Sequence, residues 1–220
     1  MIDNQTPFTY AELQEIIAQN GREQREANPD TPNLVHYAPI DFLRDLNNWA
    51  REGDRKALRI LARVLPAFPS APKDAATGEL VGLLPKIASH TQGIVTEQLL
   101  LNVIEAGWWG LSSPLVQIAE HTKGQTPPVV TEAVLIAHAV HSRDGRTSPA
   151  PFLRYLEEIE KFLPKIVTDA VWVACGTTKS DLAAEKSHAA DRERQVAQFK
   201  SGTCARTYRQ MLAKLEIGGQ

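Results

Sequence analysis

The chain has 220 residues, of which 43% are hydrophobic and 23% are charged, and its formal net charge is -2 at pH 7. This composition is typical of a soluble globular protein and excludes a disordered chain. The near-neutral charge also argues against a protein whose main task is to hold phosphate backbones, because such proteins usually carry a strong basic excess.

Membrane insertion and a disulfide framework are not expected. No apolar run reaches the roughly 18 residues that cross a bilayer, and residues 1–10 lack the layout of a signal peptide. The two cysteines, Cys175 and Cys204, have no metal-site spacing and are expected to be small buried hydrophobic residues. A reducing cytoplasm is therefore the expected location.

The first predicted helix occupies residues 9–27. Thr9 and Glu12 form a capping-box pattern, and Leu13, Ile16 and Ile17 supply one apolar stripe. Residues 20–26 have no apolar face, so we expect the helix to fray or to project into solvent there. Prolines and turn residues predict a linker over residues 28–33, which gives an N-terminal region of residues 1–33.

Four later segments repeat one pattern, in which an apolar opening is followed by a polar or Gly/Pro break and a second apolar run. Leu43, Leu80, Leu115 and Leu153 occupy equivalent positions in the openings, with steps of 37, 35 and 38 residues. The second runs are residues 57–65, 95–104, 129–140 and 166–175. A helix pair of this length cannot bury its apolar face alone, so neighbouring pairs are expected to stack.

Local signals set further expectations for these segments. Asp41 is a predicted helix cap, as is Ser112 or Ser113 ahead of Pro114. Pro85 predicts a kink or an early helix end at Leu84. Three prolines in residues 65–75 exclude a long helix there and leave an ordered loop or a mobile arm. Valine and threonine in residues 166–175 leave a strand open as the alternative to a helix.

The apolar spacing between Ile40 and Gly176 resembles the HEAT-like class of helical repeats. The resemblance implies an all-α fold in which residues 34–176 form a short right-handed stack of about four helix pairs; an irregular helical bundle is the alternative. Residues 177–220 are predicted as a charged helical extension. Cations outnumber anions between Arg192 and Lys214, and this tail is interpreted as the only basic region of the chain.

Two features are candidates for partner binding. Trp108 and Trp109 stand side by side between glycines, and adjacent residues on a turn point in different directions. One indole can therefore anchor the core while the other contacts a partner. Arg206 and Arg209 are the candidate contacts on the basic tail.

Catalytic chemistry finds little support in the residues. His138 and His141 stand at i, i+3 and could share a metal ion, but no H-E-x-x-H motif or comparable ligand set accompanies them. Cys175 lacks the signature of a catalytic nucleophile, and no glycine loop has the context of a phosphate site. We therefore predict no catalytic residue, no metal and no cofactor.

The leading hypothesis is a non-enzymatic cytoplasmic adaptor or inhibitor that binds another protein. The small, alanine-rich, motif-free chain also resembles accessory proteins of bacterial mobile elements, including plasmid fertility-inhibition proteins that block a conjugation component. That resemblance implies a cytoplasmic ATPase or coupling protein as the partner. The alternatives are a nucleic-acid-associated protein that uses the basic tail, and a helical metal-dependent hydrolase that uses His138 and His141.

Overall fold

The computed structural model describes residues 6–27, 37–71, 76–108, 110–144, 150–184, 186–188, 190–191, 193–194 and 197. Up to Cys175, the described residues form nine α-helices and one 3-10 helix, η1, with no β-strand. Their bounds are α1 Tyr10–Ala27, α2 Pro39–Arg51, α3 Arg55–Val64, η1 Leu65–Ser70, α4 Ala76–His90, α5 Glu97–Glu105, α6 Ser112–Thr122, α7 Glu132–Asp144, α8 Ala150–Phe162 and α9 Asp169–Ala174. The all-α prediction is confirmed. The strand alternative for residues 166–175 is wrong, because α9 forms there.

Alternate helices pack against one another in two series. In the first series, α2 contacts α4, α4 contacts α6, and α6 contacts α8. In the second series, α3 contacts η1, η1 contacts α5, α5 contacts α7, and α7 contacts α9. The α2–α3 hairpin joins the two series at one end. Each helix thus covers the apolar face of the next one in its series; the HEAT-like classification itself stays a prediction.

The leucines that define the sequence repeat occupy the core in the first three openings. Leu43, Leu80 and Leu115 are each 0% exposed, and burying a leucine side chain contributes about 1.5–3 kcal/mol. Leu153 is only partly buried, whereas Phe152 and Leu156 are buried. The fourth opening therefore turns a different set of side chains toward the core than the assumed register predicts.

The turns before α5, α7 and α9 share a short sequence that determines where these helices begin. Residues 94–97, 129–132 and 166–169 each read β-branched aliphatic, valine, threonine, acid. Thr96 Oγ1 accepts a hydrogen bond from the Leu99 backbone N–H at 3.2 Å, and Thr131 Oγ1 accepts one from Val134 at 3.3 Å. These bonds satisfy amide groups that the start of a helix leaves without partners.

The same turns link consecutive helices of the second series. Thr131 Oγ1 donates to Glu97 Oε1 of α5 at 2.7 Å, and Thr168 Oγ1 donates to Glu132 Oε1 of α7. An acid at the start of a helix is favourable because it compensates the positive end of the helix dipole. Here the acid also accepts a hydrogen bond from the following turn, so helix starts are coupled along the series.

Of the two alternatives that Pro85 predicts, the early helix end is wrong. α4 runs through Pro85 to His90, so the early end at Leu84 does not occur. Leu84, Ile87 and Ala88 are buried around the proline, and this packing outweighs the one backbone hydrogen bond that proline removes.

The predicted caps also shift. α2 begins at Pro39, and Asp41 lies inside the first turn, where its Oδ2 accepts from the Ala38 backbone N–H at 2.9 Å. α6 begins at Ser112 itself, with Leu111 in the cap position. In both helices the N-cap is therefore a residue upstream of the predicted one, namely Ala38 in α2 and Leu111 in α6.

The N-terminal segment docks on the α3–η1 region. The Phe8 backbone N–H donates to the Arg63 carbonyl at 3.1 Å, and Tyr10 packs edge-on against Phe68 with ring centroids 5.7 Å apart. η1 buries Leu65, Ala67 and Phe68, so residues 65–70 form an ordered element rather than a mobile arm. Beyond Leu13, α1 buries no residue and continues to Ala27 as an exposed helix.

The chain divides into two compact units, Met1–Cys175 and Gly176–Gln220. In the second unit, Thr178 starts a helical segment: its Oγ1 accepts from the Asp181 backbone N–H at 3.2 Å and donates to Asp181 Oδ2 at 2.7 Å. Among the helices that the structure describes, none combines the length and the apolar character that crossing a membrane requires.

Candidate functional site

Of the four residues predicted to bind a partner, only Trp108 falls within the described residues; Trp109, Arg206 and Arg209 lie outside them. Trp108 follows the Gly107 turn after α5, and its side chain is 3% exposed. An interface anchor must present its ring to the partner, so a buried ring is a core residue of the first unit. The nucleic-acid alternative stays a prediction that depends on Arg206 and Arg209.

His138 is buried next to a serine rather than in a metal site. Its Nε2 lies 2.9 Å from Ser112 Oγ, and its ring packs edge-on against Phe152 with centroids 4.6 Å apart. Burial, together with a smaller effect of the charge of His141, lowers the pKa of His138 to about 4. A base this weak is poorly matched to proton transfer near neutral pH, because general-base catalysis is most efficient when the pKa lies near the working pH.

The metal-dependent hydrolase gains no support from this geometry. Within the described residues, no three His, Cys, Asp or Glu side chains are grouped so that they could hold a metal ion. One ring nitrogen of His138 is already hydrogen-bonded to Ser112, and the ring is buried in the core. The arrangement does what a satisfied core histidine does, and it joins α6 to α7.

Cys175 is likewise a core residue. Its side chain is 4% exposed, and burial raises the pKa of its thiol to about 11. The thiol stays protonated at neutral pH, and the thiolate is the form that reacts as a nucleophile or binds metals. Cys204 lies outside the described residues.

A surface with an aromatic character lies on α2 and the residues before it. Phe42, Asp45 and Trp49 are spaced i, i+3 and i+7, so they share one face of the helix, away from the buried Leu43. Trp49 is 46% exposed and Tyr37 is 42% exposed. We call Tyr37, Phe42, Asp45 and Trp49 the aromatic surface.

Tyr37 is held in place by the acid at the centre of the aromatic surface. Its hydroxyl donates to Asp45 Oδ2 at 2.5 Å. Partial burial and this hydrogen bond raise the pKa of Tyr37 above its usual value. The phenol therefore stays neutral and remains the donor in its hydrogen bond to Asp45. The ring is therefore exposed yet fixed, which lowers the entropy that a partner would have to remove on binding.

A basic cluster lies on the adjacent helix. Residues 51–63 contain five cations and two anions. Arg55, Lys56 and Arg59 are exposed on α3, and next to them Ile60 is 40% exposed. We call Arg55, Lys56, Arg59 and Ile60 the basic face. The interpretation that the C-terminal tail is the only basic region is therefore wrong.

A signal for the basic face was present in the sequence, whereas hydrophobic periodicity misplaces the aromatic surface. Arg55, Arg59 and Arg63 recur every four residues, which is the spacing of one helix face. Hydrophobicity alone places Trp49 on the apolar face of its helix with Leu43 and Leu46. The neighbouring Asn47 takes the buried position instead, with 3% exposed, and an asparagine is hard to place in a core from sequence.

No protein-family model matches the sequence, and no curated protein or solved structure matches it either.

Proposed function

We propose that this chain is a non-enzymatic adaptor or inhibitor that binds another protein through the aromatic surface of α2. The observation that carries the proposal is the exposure of Trp49 beside a fixed and exposed Tyr37. Tryptophan and tyrosine are the residues that most often dominate binding energy at protein interfaces. They supply a large contact area, and each has only two rotatable side-chain bonds to immobilise.

The support beneath the aromatic surface also favours binding. On its other side, α2 buries Ile40, Leu43 and Leu46 against the rest of the first unit. Arg44 joins α2 to α4, because its guanidinium donates to Glu79 Oε2 at 2.5 Å and to Asp41 Oδ1 at 3.0 Å. A helix fixed in this way presents its exposed side chains in one arrangement, so little ordering is needed when a partner binds.

A narrower form of the proposal names the partner. If the chain acts as a fertility-inhibition protein, the aromatic surface binds a cytoplasmic ATPase or coupling protein of a conjugation channel and blocks its action. The likeness in size, alanine content and absence of motifs supports this form. It adds a defined expectation to the binding experiment below, namely the identity of the captured protein.

Trp49→Ala tests the proposal. The wild-type chain and the variant are each immobilised and exposed to the same cell extract, and the captured proteins are quantified by mass spectrometry. We expect at least one protein to be captured by the wild type and reduced tenfold or more by the variant, as expected for a hot-spot side chain. The thermal unfolding midpoint should fall by no more than about 5 °C, because the ring is half exposed and its truncation removes less buried apolar area than that of a core residue.

Val140→Ala is the matched control, because it removes an exposed apolar side chain from α7 that is 45% exposed. It should capture the same proteins as the wild type. Equal capture by Trp49→Ala and the wild type would contradict binding through this surface. Recovery of a conjugation ATPase among the Trp49-dependent proteins would support the narrower form.

A further inference from the structure

The start of α3 departs from the pattern that the other second-series α-helices follow. α5, α7 and α9 begin with Glu97, Glu132 and Asp169, whereas α3 begins with Arg55 and Lys56 and has no acid in its first turn. A cation at this position opposes the positive end of the helix dipole. Asp54 already caps the helix, accepting from the Lys56 and Ala57 backbone N–H groups at 2.7 and 3.2 Å. The local fold therefore gains nothing from the two cations.

The cations of the basic face also lack ion-pair partners in the part of the chain that the structure describes. Arg55, Lys56 and Arg59 form no ion pair with the described residues. Arg55 and Arg59 are one helical turn apart, where like charges repel. Arg63, one turn further on, behaves differently: its guanidinium lies 4.3 Å from the centre of the Phe8 ring, and its Nε donates to the Thr6 carbonyl at 3.3 Å. Arg63 thus serves the fold, while the other three cations do not.

A local arrangement that opposes the helix dipole and does not serve the fold is typical of a functional site. We propose that the basic face of α3 is a docking surface for an acidic protein segment, so that the partner of the proposed adaptor is recognised by its carboxylates. This inference rests on the proposed function, because it specifies the chemistry of the same protein partner. Arginine forms bidentate hydrogen bonds with carboxylates, which adds geometric selectivity to charge attraction.

One observation favours an acidic protein over a nucleic acid. Ile60 places an exposed apolar side chain beside the cations, and a phosphate backbone offers it no apolar counterpart. The fitting partner is a helix with carboxylates one turn apart, about 6 Å, and an apolar side chain for Ile60.

Arg55→Glu separates this role from a structural one, because the two roles predict opposite effects on stability. Glutamate at this position restores the pattern of α5 and α7 and pairs with Arg59 one turn away, so the unfolding midpoint should rise by about 2 °C. The probe is a fluorescein-labelled helical peptide of 16 residues that carries glutamates at i, i+4 spacing with leucines between them. Its affinity, measured by anisotropy at low salt, should fall at least tenfold.

Two control variants and a DNA titration test whether the change in affinity comes from the cations of the basic face. Lys86→Glu reverses an exposed cation on α4 and should leave the affinity for the peptide unchanged. Arg59→Gln, which only removes charge, should weaken binding as well. A duplex DNA of 16 base pairs is titrated in parallel, and we expect it to bind more weakly than the peptide.

Unchanged peptide affinity in Arg55→Glu would overturn the inference. So would the absence of peptide binding by the wild type, or DNA binding that is tighter than peptide binding and lost in Arg55→Glu. The capture experiment with Trp49→Ala reads the proposed function separately. A protein lost with Trp49→Ala but retained with Arg55→Glu would leave the adaptor role standing and remove the acidic-partner assignment.

Discussion

One buried side chain, His138, makes the stability of the fold depend on pH. Its ring is 6% exposed, hydrogen-bonded to Ser112 and packed on Phe152. Such a site holds the neutral imidazole, because a charged ring would have to be desolvated among apolar neighbours. The folded pKa of about 4 lies below the ordinary value of 6.5, so the unfolded chain binds a proton that the folded chain does not.

We therefore expect His138 to make the protein less stable as the pH falls. Both states carry neutral histidine above pH 6.5, and stability is lost between pH 6.5 and pH 4, where only the unfolded state is protonated. Between pH 7.5 and pH 5 the loss should be about 2 kcal/mol. Urea unfolding at the two pH values measures it, as the difference between the wild type and His138→Gln.

Two results bear on this prediction. His138→Gln should be less stable than the wild type at pH 7.5 but should lose about 2 kcal/mol less on acidification. His121→Gln removes an exposed histidine and should retain the wild-type dependence. If His138→Gln and the wild type lost the same free energy, His138 would not be the group that titrates.

At the scale of the element, the turn before α7 both starts this helix and links it to the preceding helix of the series. Thr131 caps α7 through the Val134 backbone N–H and at the same time donates to Glu97 of α5. Thr131 combines the two roles, whereas Thr96 caps α5 and Thr168 donates to Glu132 of α7. Aspartate or serine could cap the helix equally well, but aspartate has no hydroxyl to donate and would repel the acid of the preceding helix.

Thr131→Val should remove both hydrogen bonds while it preserves the shape of the side chain. We expect the free energy of unfolding to fall by about 1–2 kcal/mol, since a helix cap and a partly exposed hydrogen bond to a carboxylate are both lost. Thr131→Ser keeps the hydroxyl and should recover most of the difference. Chemical denaturation of the three proteins measures the effect, and equal stability of the serine and valine variants would show that the hydroxyl is not used.

The fold was more predictable from the sequence than its details. Apolar spacing gave the helices because burial of Leu43, Leu80 and Leu115 is the largest favourable contribution, and it depends mainly on hydrophobic periodicity. The helix through Pro85 could not be predicted, because it depends on tertiary packing that outweighs a local signal. The burial of Trp108 could not be predicted either, because the exposure of its ring depends on which neighbours cover it.

The candidate site was less predictable, because its identification requires knowing which residues remain uncovered. Hydrophobic periodicity alone places Trp49 in the core. In the structure Trp49 is exposed, because α2 is the end helix of the first series and has a neighbour in that series, α4, on one side only. The basic face is a departure from the acidic helix starts of α5 and α7. That departure becomes visible only when the second-series helices are aligned by their contacts.

At the scale of the whole molecule, the packing of each helix against its neighbours determines which helices resist unfolding longest. α6 lies between α4 and α8, and α7 lies between α5 and α9, so the amides of these helices open only when two neighbours are disturbed. α1 buries only Tyr10 and Leu13, and from Gln14 to Ala27 its hydrogen bonds face solvent along most of the helix. An unsupported helix of this length is marginally stable in water.

Amide hydrogen exchange followed by mass spectrometry should therefore grade the first unit from its middle to its edges. We expect the slowest exchange in α6 and α7, faster exchange in α9, and exchange within seconds in α1 beyond Leu13. The measurement is repeated over a tenfold range of protein concentration. Concentration-independent protection of α1 equal to that of α6 would contradict the packing, whereas protection of α1 that grows with concentration would mean that a second copy covers it. In either case the exposed half of α1 could no longer be treated as a free helix, and residues beyond Leu13 would have to be added to the surfaces considered for binding.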